Sequence, residues 1–364
     1  MPEGVKVLRD LAYVENGHVR QKLDLFLPEK ATNAVPLIIW IHGGAWLGGS
    51  KSECPPLRQG FVQRGYAVAS LDYRLSGDAI FPAQIEDCKA AVRWLRAHAK
   101  EFGIDPGRFG AWGSSAGGHL VALLGTSGDE KAFDVGANLG VSSRVQAVCD
   151  YYGPSDLTRM DAKAMPGTPL KRHDPNAPEG RLIGGSVQGN EEKAARASPV
   201  AHATTNALPP FLIVHGDADP VVPFHQSELL FEALKKAGAN VHFHCIRGAA
   251  HGMGFGGKEI AERVNAFFDR WLKAPGEATV PAASQTTESQ AVVEPWFGGA
   301  GGNRGGGGPQ QGPQRLTFDQ VKAREDANGD GRVTREEFKG PTAIFQRLDR
   351  NRDGVLTQDD FSGK

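Results

Sequence analysis

The chain reads as an α/β protein, with a mostly parallel sheet covered by helices on both faces and a small all-α unit after it. Three observations predict this. From residue 35 to 272, apolar runs of strand length alternate with longer amphipathic patterns, which argues for parallel strands joined by crossover helices. Val35-Pro-Leu-Ile-Ile-Trp-Ile41 is apolar throughout, as a strand buried on both faces must be. Past Lys273 the composition shifts to a polar stretch at 275–294 and a nearly all Gly, Pro and Gln stretch at 298–313, and two acidic loops follow.

At 364 residues the chain exceeds one average domain, although an α/β core of about 200–250 residues can be a single unit. The expected organisation is a large domain at 1–274, a flexible linker at 275–315 and a small unit at 316–364. Within the linker the Val292-Val-Glu-Pro-Trp-Phe297 stretch is too apolar for a pure spacer and is expected to dock on the large domain. A net charge of −1 with 23% charged residues offers no basic field for nucleic acid, and no apolar run reaches membrane-span length. The four cysteines, Cys54, Cys88, Cys149 and Cys245, show no metal spacing and read as mostly buried thiols. A Cys54–Cys88 bridge stays open. Met1-Pro-Glu-Gly-Val-Lys6 lacks the charged-then-apolar pattern of a secretory signal. The expectation is therefore a secreted or periplasmic protein whose leader is absent from this sequence, or else a cytoplasmic one.

The elements follow in order. Segments 5–14 and 19–27 alternate as strands and predict an antiparallel opening pair. After the strand Val35–Ile41 come a helix near 57–64, the strand Ala67–Leu71, a helix over 81–101, a strand at 108–112, a helix from Ser115 and a strand at 145–149. Segment 151–210 is rich in Pro, Gly and Asn without a strong period, and its length points to a lid or substrate wall, or to a solvated excursion. A strand at 211–214, a helix at 226–237, the strand Val241–Ile246 and a helix at 258–272 close the domain.

Four chemistry-bearing pieces fall at the carboxyl ends of these strands, where such sheets bind ligands. Gly113-Ser-Ser-Ala-Gly117 follows the strand at 108–112 and opens a helix. In G-x-S-x-G the serine is held on a strained strand-to-helix turn, which makes Ser115 the expected nucleophile. His42-Gly-Gly-Ala-Trp46 follows the central strand. Its glycines open their N–H groups to a substrate oxygen, so Gly43 or Gly44 is expected to form an oxyanion hole together with Ala116. His215-Gly-Asp-Ala-Asp-Pro-Val-Val-Pro223 supplies two candidate acids, Asp217 and Asp219. His251 follows the last strand in a glycine-flanked loop and is the expected base, whereas His42 is expected to brace the oxyanion loop. His119 and His215 read as satisfied polar groups. The chain order of the three pieces is Ser, Asp, His.

These pieces, with Asp72-Tyr-Arg-Leu75, Phe81-Pro-Ala-Gln-Ile-Glu-Asp87, Gly184-Gly185 and Ala197-Ser-Pro-Val200, resemble the α/β-hydrolase esterases near the hormone-sensitive-lipase-like group. The closer likeness is to the bacterial feruloyl and acetylxylan esterase-like branch, over about residues 5–273. The resemblance implies an α/β-hydrolase fold, a serine esterase working through an acyl-enzyme without a metal, and Asp219 as the acid. One departure is Ala45, where a third glycine is frequent in the family.

In the tail, residues 326–337 match an EF-hand loop. Asp326, Asn328 and Asp330 give side-chain oxygens, Gly331 the sharp turn, Arg332 a carbonyl, Thr334 the ninth position and Glu337 a bidentate carboxylate. Asp349, Asn351, Asp353, Val355, Thr357 and Asp360 repeat the pattern with a shorter final acid, which predicts a weaker or more Mg²⁺-tolerant second site. Ca²⁺ is the expected metal. Val333 and Leu356 are placed to pair, and Phe318, Phe338, Ile344, Phe345 and Phe361 to form a small core. The close spacing of the loops also resembles dockerin modules, which bind partner proteins, although Gly340-Pro341 interrupts the intervening helix.

The function expected is serine hydrolysis of a carboxylic ester, with feruloyl or acetyl esters of plant polysaccharide as the family-derived substrate. A general short-chain carboxylesterase is the alternative within enzymes. A calcium-dependent scaffold with an inactive hydrolase domain is the alternative from another class.

Overall fold

The computed structural model describes residues 3–162, 174–204, 207–273, 318, 321–322, 326, 328, 330–338, 348–349, 351 and 353–361. By compactness the chain divides into Met1–Pro295 and Trp296–Lys364. The linker expected at 275–315, its 292–297 stretch, Gly340, Pro341, Ile344 and Phe345 lie outside the described residues.

The first unit is an eight-stranded sheet in the order β1-β2-β4-β3-β5-β6-β7-β8. The strands are β1 (Val5–Ala12), β2 (Lys22–Pro28), β3 (Val35–Ile41), β4 (Ala67–Leu71), β5 (Ile104–Ser114), β6 (Ala147–Tyr151), β7 (Phe211–Gly216) and β8 (Val241–Ile246). Only β1–β2 and β2–β4 pair antiparallel, and the other pairs are parallel. The period-2 alternation of side chains along β3 builds a core on each face. Leu37, Ile39 and Ile41 point into one core together with Ile85 and Leu95 of α2 (Ala83–Ala97), Leu120 and Leu124 of α4 (Ala116–Thr126) and Leu230 and Leu234 of α8 (His225–Lys236). Ile38 and Trp40 point into the other, against Ile260, Val264 and Phe268 of α9 (Lys258–Phe268). All six apolar positions from Leu37 to Ile41 and at Val68 are fully or almost fully buried, which is why β3 reads as an uninterrupted apolar run. The order puts β5 beside β3 and β6 beside β5, so the loops after these three strands meet at one end of the sheet.

Departures from the sequence reading have local causes. The helix expected over 81–101 breaks at His98, whose Nδ1 bonds the Trp94 carbonyl at 2.8 Å while its ring stacks on Trp94. A short α3 (Ala99–Phe102) follows and ends at Gly103 in the left-handed conformation. Near 57–64 only α1 (Pro55–Arg58) is helical, and turns at Gly60 and Gly65 take over. Among its described residues, segment 151–210 contains three α-helices that periodicity missed: α5 (Pro178–Ile183), α6 (Glu191–Arg196) and α7 (Pro199–His202). Elements of six residues or fewer span under two turns, too little for a period to emerge. The cysteine alternative is resolved against a bridge, because all four thiols are free.

In the second unit, β9 (Val333–Thr334) pairs antiparallel with β10 (Val355–Leu356), with Val333 opposite Leu356. Phe318, Val321, Val333, Phe338 and Leu356 form its core, and Phe361 packs against it.

Candidate active site

The site begins at Ser115, between the end of β5 and the start of α4. Its backbone adopts φ 55° and ψ −121°, a conformation that costs a non-glycine residue about 1–3 kcal/mol. Close packing holds it there. The Ser115 N–H donates to the Tyr151 carbonyl at 2.8 Å. A Cβ on Gly117 would meet the Ile41 carbonyl oxygen and lie 2.6 Å from that of His42, so the first turn of α4 can press against the end of β3 only as glycine.

The two other expected members arrive from β7 and β8. His251 Nε2 lies 3.1 Å from Ser115 Oγ, and His251 Nδ1 lies 2.7 Å from Asp219 Oδ2. Asp219 Oδ1 accepts the N–H groups of Val221 and Val222 at 2.7 and 2.9 Å. Burial works to raise the Asp219 pKa, but hydrogen bonds from His215 and His251 outweigh it and hold the carboxyl well below the usual range. Asp217, the other acid, is not in this array, and its Oδ1 accepts the Gly248 N–H at 2.5 Å.

The loop after β3 lies against the same turn. A Cβ on Gly43 would sit 2.7 Å from the Ser114 carbonyl oxygen and 3.3 Å from Ser115 Cβ, so the Gly43 backbone packs on the elbow itself. Gly44 has φ 109°, and its carbonyl accepts the N–H groups of Leu47 and Gly48. Ala116 opens α4, where first-turn N–H groups have no partner within the helix. His42 stays outside this array, with Nδ1 2.7 Å from the Gly43 carbonyl and its ring stacked on Tyr73 at 4.5 Å. Arg20 ties the loop further, donating to the carbonyls of Tyr73 and Gly49 at 2.9 Å each.

Three features escaped the sequence reading. Trp46, at φ 57°, donates its indole N–H to His119 Nδ1 at 3.1 Å, and His119 Nε2 lies 2.7 Å from the Ala197 carbonyl. One buried ring thus joins the loop after β3, α4 and the 151–210 excursion. The Tyr152 ring stands edge-on to His251 at 4.6 Å. Asp150, beneath Gly118, uses one oxygen to accept the Gly153 N–H at 2.9 Å, leaves the other without a partner among the described residues, and is pushed up to about 7 by burial.

The His119 junction makes stability depend on pH. Burial lowers its pKa from 6.5 to about 4. The unfolded chain takes up a proton near 6.5 while the fold keeps the ring neutral, so this contribution is complete above pH 6.5 and is lost as the pH falls toward 4. The loss approaches about 3 kcal/mol. Thermal midpoints measured between pH 7 and 4 are expected to fall accordingly, and His119→Gln to flatten the slope; an unaltered slope would locate the proton uptake elsewhere.

In the tail, Gly331 and Gly354 adopt φ 84° and 83°. Asp326 Oδ2 accepts the Gly331 N–H at 3.0 Å and Asp349 Oδ2 the Gly354 N–H at 2.9 Å. Asp330 and Asp353 each accept the amide two residues on, from Arg332 and Val355, at 2.9 Å. Thr334 and Thr357 donate their N–H groups to Glu337 and Asp360, both at 2.9 Å. Asn328 and Asn351 accept the N–H groups of Asp330 and Asp353 at 2.8 and 3.0 Å. Among the described residues no three His, Cys, Asp or Glu side chains form a metal cluster by themselves; an EF-hand loop completes its set with Asn, Thr and a backbone carbonyl. Glu337 Oε1 is buried without a hydrogen-bond partner among the described residues, an oxygen that a cation would satisfy.

Comparison with known proteins agrees with both units. The BD-FAE family profile matches residues 23–234, and the EF hand profile matches 326–340 and 343–362. Esterase LipQ of Mycobacterium tuberculosis is 33% identical over 205 residues, covering 56% of this chain and 47% of its own length. The isoprenylcysteine α-carbonyl methylesterase ICME of Arabidopsis thaliana is 28% identical, with 68% of this chain and 56% of its own covered. The chain spans about half the length of the curated relatives it matches. Among solved structures, a truncated carbohydrate esterase from gut microbiota superposes with a TM-score of 0.66 at 32% identity, over 74% of this chain and 96% of that one. The thermophilic esterase Est2 of Thermogutta terrifontis gives 0.58 at 29% identity, over 77% and 96%. With an α/β-hydrolase sheet in place and the family profile spanning more than half its length, the chain belongs to the BD-FAE family and carries a C-terminal EF-hand pair.

Proposed function

We propose that the protein is a serine carboxylic-ester hydrolase acting on feruloyl or acetyl esters of plant polysaccharide. The observation that carries the chemistry is the unbroken series Asp219, His251, Ser115, with contacts of 2.7 and 3.1 Å ending at a hydroxyl on the strained turn. His251 Nε2 takes the Ser115 proton as Oγ bonds to the ester carbonyl carbon. The oxygen that gains charge is met by N–H groups of Ala116 and of Gly43 or Gly44, each such donor contributing about 10²–10³ in rate. Asp219 accepts the Nδ1–H and stabilises the imidazolium. His251 then returns the proton to the leaving alcohol, and an acyl-serine remains. Water attacks it by the same route reversed, releasing the acid.

The sugar-linked substrate is supported by the gut carbohydrate esterase at 32% identity. A short-chain carboxylesterase is the second reading, favoured by Est2 structures described as bound to propionate and butyrate. Rates on acetylated xylan, methyl ferulate and a nitrophenyl acyl series separate the two: kcat/KM at least tenfold higher on a carbohydrate-linked ester supports the first, and preference for plain C2–C4 esters the second. The excursion at 151–210 is the substrate wall in this reading, because His119 ties Ala197 of that segment to the nucleophile helix.

The tail is proposed to bind Ca²⁺ through Asp326, Asn328, Asp330, Arg332, Thr334 and Glu337 in the first loop, and Asp349, Asn351, Asp353, Val355, Thr357 and Asp360 in the second. Glu337 Oε1, unpartnered among the described residues, supports this, and the unit has too small a core to be firm without metal. Calorimetry is expected to resolve a tighter and a weaker site, with Glu337→Gln removing the tighter one. Equal affinities would contradict the assignment of the weaker site to the shorter Asp360. A protein or surface partner for this pair, and a location outside the cytoplasm where calcium is abundant, complete the proposal.

A further inference from the structure

His215 is fully buried at the end of β7, four residues before Asp219. Its Nε2 faces two acceptors, Asp219 Oδ2 at 3.2 Å and the Val222 carbonyl at 3.1 Å, and its Nδ1 lies 2.8 Å from Ser227 Oγ on α8. A nitrogen between a carboxylate and a carbonyl must carry hydrogen, so Nε2 donates and Nδ1 is left to accept from the serine hydroxyl. Asp219 Oδ2 is the same oxygen that accepts from His251. The carboxylate is thus shared between two imidazoles, one facing the nucleophile and one facing the core.

We propose that His215 is a positioning residue for the hydrolysis, which fixes the Asp219 carboxylate plane and, by competing for Oδ2, moderates the basicity of His251. This rests on the ester-hydrolase reading, and it adds a fourth and fifth member, His215 and Ser227, behind the triad. The physical basis is the limited capacity of one oxygen. Each charge-assisted donor withdraws electron density from the carboxylate, so a second donor weakens the hold of Asp219 on the imidazolium. Without it, the Nδ1–H contact strengthens and His251 keeps its proton to higher pH. The groups facing His215 are few: Asp219 on its own loop, the Tyr152 ring at 6.2 Å from the end of β6, Cys245 opposite it on β8, the Phe224 ring and Ser227. Among these, Asp219 is the only one that carries charge in the neutral pH range.

The test compares wild type with His215→Leu, which keeps bulk and removes the donor, and with His215→Gln, whose amide nitrogen reaches toward the Nε2 position. The His251 ring is titrated by NMR in each, and kcat and KM are measured across pH on a nitrophenyl ester. In His215→Leu the His251 midpoint is expected to rise by about half a unit to one unit, with the acid limb of kcat moving equally. In the same variant kcat falls about tenfold and KM stays within twofold, and His215→Gln restores most of both. A kcat loss with an unmoved His251 titration would reduce His215 to core packing, and an unmoved kcat and titration would remove it from the site. Should His215→Leu fail to fold, Ser227→Ala leaves the ring in place but unties it, and is expected to shift the titration in the same direction by less. An unmoved titration in Ser227→Ala overturns the proposal. The titration needs no turnover, so failure of the ester-hydrolase reading appears separately, as absent wild-type hydrolysis.

Discussion

Ser115→Ala is expected to lower kcat on a nitrophenyl ester by about 10⁶, with KM within a few-fold. The variant deletes the one oxygen that bonds to the acyl carbon, while Gly43, Gly44 and Ala116 keep their N–H groups. Residual catalysis of about 10³–10⁴ over water should survive from those donors and from binding. The same loss is expected with calcium and with chelator, because none of the loop ligands in the tail takes part in the proton relay. Activity retained in Ser115→Ala would assign hydrolysis to another group. Wild type inactive under both conditions would favour a calcium-dependent binding protein.

Asp219→Asn is expected to cost about 10⁴ in kcat with little change in KM. The reason lies in what surrounds each oxygen. Oδ1 accepts two backbone N–H groups, from Val221 and Val222, so an amide NH₂ placed there would face two donors. The amide nitrogen must instead replace Oδ2, where it meets His251 Nδ1 and His215 Nε2. Donating to His251 Nδ1 forces that ring to carry its hydrogen on Nε2, the tautomer that cannot accept the Ser115 proton. Asp217→Asn is the control, since Asp217 meets the Gly248 amide instead of an imidazole. Equal losses in the two variants would make both effects a general disturbance of the 215–223 loop.

Much of the fold lay open in the sequence, because its central strands are buried on both faces and leave unbroken apolar runs. Val35–Ile41 and Ala67–Leu71 begin and end where those runs do, and the edge strand Val241–Ile246 shows instead as apolar residues alternating with His242 and His244. The short helices α5 to α7 left no such trace. They are held by neighbours, as where Ser198 Oγ accepts the Leu157 N–H at 2.9 Å, and tertiary contacts of this kind write no period into the chain. The local motif at Ser115 and the glycines before Trp46 were legible as chemistry because their backbones demand particular residues. His215 was read as a satisfied polar group, which describes its bonds but misses their partner: the spacing to Asp219 was visible, the direction of Nε2 was not. The choice between Asp217 and Asp219 likewise needed the loop's path, since both acids sit in the same turn two residues apart.

The backbone at Ser115 has a consequence for how this chain can change. At φ 55° and ψ −121°, glycine would sit there with less strain than any side chain, and relief of about 1–3 kcal/mol exceeds the roughly 0.5–1 kcal/mol that glycine's freedom costs in the unfolded chain. The fold by itself therefore favours losing the Ser115 hydroxyl. A lineage or a laboratory screen selecting only for thermal resistance would drift toward Ser115→Gly, arriving at a sturdier protein without the proposed nucleophile. Serine can persist at this position only where turnover itself is under selection.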